Sequence, residues 1–94
     1  MDNKCWLCGR NGAADPLDRH HIFPGKNRGL SEKYDLTVYL CHDRCHIFGR
    51  YAVHRNADTR HLLQAWGQQQ AMERYGWTAE EFIKIFGRNY LLEE

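Results

Sequence analysis

An α+β fold, in which a metal-fastened β-hairpin leads into helices, is predicted by three features of this 94-residue chain. The four cysteines fall into two close pairs, Cys5 with Cys8 and Cys41 with Cys45. Two short runs of apolar, β-branched and aromatic residues, "HHIFPG" and "LTVYL", flank a polar stretch, and from about residue 58 the apolar residues recur at helical steps. A chain of this length reads as one domain, 1–94, and buries only about 60 to 70% of the surface its unfolded form exposes, so a staple would add much to its stability.

Taken in order, "CWLCGRNGAADPLDRHH" opens with a cysteine knuckle and runs through small and turn-forming residues, which predicts a loop to about Leu17. "HHIFPG" reads as a first strand stopped by Pro24 and Gly25. "KNRGLSEKYD" is polar and contains glycine, so a connecting loop is expected there. "LTVYL" is a second strand running into Cys41. Two strands joined by a loop make a hairpin, too small a sheet to stand alone. Between Asp58 and Tyr75 a helix is predicted, with Leu62, Ala65, Trp66, Met72 and Tyr75 as its apolar positions, a polar run from Gln68 to Gln70 and Gly76 as its left-handed cap. Thr78 and Glu81 form a capping box for a second helix, whose apolar side is Phe82, Ile83, Ile85 and Phe86 and whose end is Gly87. The cysteines and most histidines thus lie in a core of about residues 5–57, and a helical buttress covers about 58–92. Trp6, Trp66 and Trp77 read as packing groups.

The start "MDNKCWLCGR" is polar and has no apolar run, so a secretion signal is not expected, and a reducing compartment favours metal ligation over disulfides. No window approaches the roughly 18 apolar residues of a membrane span. The C-x2-C pair and the C-x3-C pair some thirty residues later are close to the spacings of tetrahedral structural zinc. Zinc held by Cys5, Cys8, Cys41 and Cys45 would contribute roughly 10 to 16 kcal/mol. His42 and His46 are the alternatives to Cys45 as fourth ligand; the all-cysteine set is preferred because thiolate is the softer donor. The formal net charge is +1, but residues 44–60 hold Arg44, Arg50, Arg55 and Arg60 against Asp58 alone, while residues 61–94 are acidic. An anionic ligand at the histidine-rich centre suits that distribution.

His20 and His21 are neighbours on the first predicted strand and should point to opposite faces, which argues for different tasks. A hairpin pinned to the start of a helix would bring them near His46 and His54. On these residues, "HHIFP" followed by "LTVYLCHDRCH" resembles the HNH endonuclease motif, the ββα-metal or His-Me finger. The flanks "SEKYDLTVYLC" and "EEFIKIFGRNYL" are similar to small HNH-type proteins encoded by phages and prophages of Gram-positive bacteria. The resemblance runs from about Cys5 to Leu91 and implies a zinc-stabilised ββα-metal hairpin-helix core with a C-terminal helical extension. It implies His21 as general base and His20 as ligand of a catalytic divalent metal, Mg²⁺, Mn²⁺ or Zn²⁺, with His46 and His54 as the other ligands. It departs from the family at the middle asparagine, whose place falls on Leu36, leaving Asp35 or Asn27 for the orienting role. "HIFGRYAVH" is also longer than the usual spacer, which leaves open which of His46 and His54 is a direct ligand.

The chemistry is consistent with this independently. Phosphodiester hydrolysis needs a base that titrates near neutrality, which imidazole is, and a cation to neutralise developing charge. The expectation is therefore an HNH-type DNA endonuclease or nickase of low sequence specificity, in which Arg19, Lys26, Arg28, Arg50 and Arg55 contact phosphates. The resemblance also implies the cytoplasm of a phage's bacterial host and phage packaging or recombination proteins as partners, with monomer or homodimer left open. His42 and His61 are read as structural or solvent-facing. The alternative is a non-catalytic zinc-binding module for nucleic acid or protein, which has no need of His21.

Overall fold

The computed structural model describes residues 3–91. Strand β1 (Leu17–His21) pairs antiparallel with β2 (Thr37–Cys41), in a register that sets Leu17 opposite Cys41 and His21 opposite Thr37. The first strand therefore begins and ends earlier than the sequence pattern implies. Ile22 and Phe23 leave the ladder because other groups satisfy their backbone. The Ile22 N–H bonds the Leu36 carbonyl at 3.0 Å, and the buried Ser31 hydroxyl both accepts from the Phe23 N–H (3.1 Å) and donates to the Phe23 carbonyl (2.9 Å). Both apolar side chains are thereby turned fully into the core. Strand alternation then gives β1 two working faces: Asp18 and His20 lie on one, Arg19 and His21 on the other.

The link between the strands is not a plain loop. After a single 3-10 turn, Gly25–Asn27, it forms helix α1 (Arg28–Lys33). A polar stretch with one leucine carries no strong helical period; what fixes it is tertiary. Besides the Ser31 contacts, the buried Asn27 side chain donates to the Phe86 carbonyl at 2.9 Å, far away in sequence.

Helix α2 (Ala57–Tyr75) starts where Asn56 accepts from the Thr59 N–H at 3.0 Å, and it ends at Gly76 in the left-handed conformation. Its buried face is Leu63, Ala65, Gly67, Gln68 and Ala71; the expected Leu62 is exposed instead. Gly67 marks why. A Cβ there would stand 2.7 Å from Ile22 Cγ2, so only glycine lets the helix axis close onto the residues that follow β1. Helix α3 (Ala79–Phe86) has the expected capping box of Thr78 and Glu81 and ends at Gly87. Its Phe82 and Phe86 pack against Phe23 with ring centroids 5.6 and 5.0 Å apart, and Tyr90 closes the cluster at 4.7 Å. The tryptophans pack as expected, Trp6 on Trp66 and Trp77 on Tyr34. Among the described residues no helix is long and apolar enough to cross a membrane. The last residue of the expected buttress, position 92, and the acidic Glu93 and Glu94 lie outside the described residues.

Within the polar glutamine run, Gln68 does not face solvent. It is fully buried, its Nε2 donating to Asn89 Oδ1 at 2.9 Å and its Oε1 accepting from the Tyr90 N–H at 2.6 Å. The amide thus straps the chain beyond α3 onto α2. Gln68→Leu removes both bonds and strands a backbone donor, so urea denaturation is expected to show a loss of about 1 to 3 kcal/mol. An unchanged midpoint would contradict the strap.

Candidate metal centres and histidine cluster

The first cysteine pair is held in a tight turn beside β2. The Trp6 N–H bonds the Tyr39 carbonyl at 2.8 Å, and the Gly9 N–H returns to the Cys5 carbonyl at 2.9 Å. The second pair spans the end of β2 and a π-helical turn, His42–Ile47. That wide turn accommodates three residues between the cysteines, and it closes where the Phe48 and Gly49 N–H groups both reach the Asp43 carbonyl, at 2.8 and 2.9 Å. Gly49 is obligatory there, because a Cβ would fall 1.8 Å from the Arg44 carbonyl oxygen. Asp15 caps the start of the turn, accepting from the backbone N–H groups of Asp43 and Arg44 at 3.1 and 2.9 Å.

These two turns bring the four sulfurs within 4.8 Å of one another, and all four cysteines are free of disulfides. The Sγ atoms of Cys8 and Cys41 are 3.6 Å apart. A tetrahedron with metal–sulfur bonds of about 2.3 Å has edges of about 3.8 Å, so the donor set fits a tetrahedral soft-metal site. Burial pushes the Cys41 thiol up to about 11 and raises Cys45 as well. At Cys8 burial also acts upward, but hydrogen bonding to Arg10 and to the neighbouring cysteines outweighs it and brings the thiol down to about 6. Cys8 thus offers a thiolate near neutrality, and ligation must displace protons from Cys41 and Cys45.

The second cluster comes from three separate segments. His20 on β1, His46 in the π-helical turn and His54 just before α2 each present a ring nitrogen within 4.8 Å of the others. Ring centroids lie 5.1 Å apart for His20 and His46, 5.6 Å for His20 and His54, and 4.7 Å for His46 and His54. Both distal histidines left open by the sequence therefore join His20, although both precede the long helix. The nine-residue stretch from His46 to His54 makes a return loop, in which the Val53 and His54 N–H groups bond the Cys45 and His46 carbonyls at 2.9 and 3.1 Å.

Asp18, two residues before His20 on the same face, orients this cluster. Its Oδ2 accepts from His46 Nδ1 at 2.8 Å and from His42 Nδ1 at 2.6 Å, and the bond from His46 is the main reason its carboxyl lies below the ordinary range. A carboxylate only accepts, so His46 carries its proton on Nδ1 and turns the Nε2 lone pair toward His54 Nε2, 3.1 Å away. His42 fills a supporting place, as expected, and its own pKa is raised chiefly by the bond to Asp18. His61 is exposed on α2. Three imidazoles whose ring nitrogens lie within 4.8 Å of one another, with a carboxylate behind one of them, fit a divalent transition-metal site once the proton between the His46 and His54 Nε2 atoms is displaced.

On the other face of β1, His21 Nε2 lies 2.7 Å from Glu32 Oε2, and Arg19 Nη1 donates to both oxygens of the same carboxylate at 3.2 and 2.9 Å. Hydrogen bonding from Arg19, then from His21, holds the Glu32 carboxyl below its usual range, so it stays ionised and accepts the His21 proton from Nε2–H. Glu32, not Asp35 or Asn27, is therefore the side chain bonded to His21. Neither of those reaches His21: Asp35 sits in a left-handed turn at φ 54° and Asn27 is committed to Phe86. Arg19, His21, Arg28, Gly29 and Glu32 line a cleft of about 430 Å³. Among the described residues the sheet has two strands, and the far side of β2 is occupied by the Cys5–Tyr39 bridge. Among the described residues, the outer edge of β1 is unpaired, so groups from both faces can meet a ligand lying along it.

Of the arginines and lysine expected to contact phosphate, Arg28 borders the cleft and makes no ion pair among the described residues, while Arg19 is engaged by Glu32. Arg50 is exposed above the Tyr51 ring. Arg55 donates to the Phe48 carbonyl at 3.0 Å and so supports the return loop, and Lys26 lies away from the cluster near Gly87. Sequence reasoning missed Asp18 and Glu32. The strand alternation that relates Asp18 to His20 could have exposed the first; nothing local marks the second. Comparison with known proteins found no matching family, no matching curated protein and no matching solved structure.

Burial first, then the neighbouring histidines, lowers His20 from its ordinary 6.5 to about 4. The folded chain therefore binds fewer protons there than the unfolded chain between those values, and the stability due to neutral His20 is full above pH 6.5 and lost as pH falls toward 4. Thermal melts across that window are expected to fall more steeply for the native protein than for His20→Gln. Parallel curves would contradict the buried, neutral imidazole.

Proposed function

We propose that the protein is a metal-dependent phosphodiesterase of the HNH type acting on DNA. A structural zinc ion would be held by Cys5, Cys8, Cys41 and Cys45, and a catalytic divalent cation by His20, His46 and His54. The observation that carries this reading is the convergence of three imidazoles from three segments, next in sequence to a fourth imidazole held by a carboxylate. Space-filling alone has no use for such convergence, and a purely structural zinc site has no use for the second cluster.

A divalent cation, when bound, supplies charge neutralisation at the attacked phosphorus and the departing 3′ oxygen. The chain's own residues do the rest. With Nε2–H held by Glu32, the His21 lone pair is on Nδ1, the atom that accepts the proton of the attacking water, and the ionised Glu32 then stabilises the resulting imidazolium. Arg28 meets the phosphodiester backbone at the cleft, and Arg19 keeps Glu32 in place. Contacts to the phosphodiester backbone carry no base information, so weak sequence dependence is part of this reading. The family resemblance adds a phage-derived nuclease working in the bacterial cytoplasm beside packaging or recombination proteins.

Plasmid nicking in Mg²⁺ or Mn²⁺ tests this. His21→Ala is expected to cut roughly 10² to 10⁴-fold more slowly with zinc content unchanged, the usual scale for a lost general base. Equal rates in both proteins would remove the enzyme reading and leave the non-catalytic zinc module.

A further inference from the structure

Between His46 and His54 the chain exposes two aromatic side chains that the metal chemistry does not use. Phe48 is 61% and Tyr51 59% exposed, more than any other large apolar side chain among the described residues. A loose loop would fold such rings onto the surface. This loop is held instead: Ala52 and Val53 are fully buried, the Ala52 N–H bonds the Gly49 carbonyl at 3.0 Å, and Arg55 clasps the Phe48 carbonyl at 3.0 Å. The rings are therefore presented outward by a braced backbone.

Their surroundings indicate the partner. Residues 44–60 hold Arg44, Arg50, Arg55 and Arg60 against Asp58, with Asp43 just before them; Arg60 donates to the Val53 carbonyl at 3.0 Å, and the Arg50 guanidinium sits 5.5 Å from the Tyr51 ring centroid. Phe48 stands beside His42, ring centroids 6.5 Å apart, and His42 shares the Asp18 carboxylate with His46. Tyr51 precedes His54 by three residues. Flat apolar faces interleaved with arginines match a strand whose bases are unstacked and whose phosphates are within reach, because every base has a stacking face whatever its identity. Paired bases inside a duplex offer no such face.

We infer that the loop carrying Phe48 and Tyr51 is a stacking platform for unpaired nucleotides, so that the protein engages single-stranded or locally opened DNA next to the histidine cluster. The placement beside a scissile phosphate rests on the nuclease reading; the binding itself does not.

Fluorescence anisotropy of the native protein, without added divalent metal, compares a labelled single-stranded oligodeoxynucleotide with its duplex. The single strand is expected to bind at least tenfold more tightly. Phe48→Ala and Tyr51→Ala should each weaken single-strand binding roughly five- to a hundredfold and leave duplex binding unchanged, while Tyr51→Phe retains it. Both positions are on the surface, and zinc content with melting temperature verifies that each variant is folded. Equal affinity for the two DNAs, or a single-strand preference that survives the double alanine variant, overturns the platform. So does sedimentation showing that the native protein is a dimer and the double variant a monomer, since the rings then serve self-association. Loss of cleavage in every protein with the binding pattern intact would remove the nuclease reading and leave the platform standing.

Discussion

Four cysteine sulfurs within 4.8 Å of one another are the constraint on which the rest of this fold depends. Thiolates that close repel, and buried thiols gain little from each other, so a shared cation is the natural way for the chain to hold this geometry. What the cluster joins matters more than the cluster itself. It ties the N-terminal turn to the end of β2, and the π-helical turn that delivers Cys45 also delivers His46. The bond of the His54 N–H to the His46 carbonyl then carries the same fixed frame to the third imidazole.

Strand alternation explains how one short element serves two chemistries. On β1 the even positions, Asp18 and His20, build the orienting carboxylate and one member of the imidazole trio; the odd positions, Arg19 and His21, meet Glu32. The carboxylates on the two faces act alike. Each accepts an imidazole N–H and so decides which nitrogen keeps a lone pair, toward His54 in one case and on Nδ1 of His21 in the other. Under the proposed function, these are the nitrogens that a metal and a water would use. Under the same proposal, the edge of β1 that is unpaired among the described residues is where the two faces would act on one substrate.

The parts of this arrangement that were legible in the sequence are those encoded locally. Cysteine spacing, the β-branched run of β2, the capping box at Thr78 and the glycine ends of α2 and α3 all follow from short-range chemistry. The convergence of His20, His46 and His54 was legible only in outline, because the knuckle's wide turn and the return loop set it. What was not legible depends on contacts far apart in sequence. Helix α1 rests on Ser31 and Asn27 meeting Phe23 and Phe86, and the burial of Gln68 rests on Asn89 and Tyr90. Glu32 belongs to the same class. A lone glutamate in a polar stretch carries no signal until α1 folds back over β1 and sets it against His21.

The most direct measurement of this account is anomalous scattering from crystals, recorded at the zinc edge and, after soaking in Mn²⁺, at the manganese edge. It should place one zinc at about 2.3 Å from the four cysteine sulfurs and a second ion among the ring nitrogens of His20, His46 and His54. A disulfide within the cysteine cluster, or histidines that stay metal-free in saturating Mn²⁺ and Zn²⁺, would contradict it.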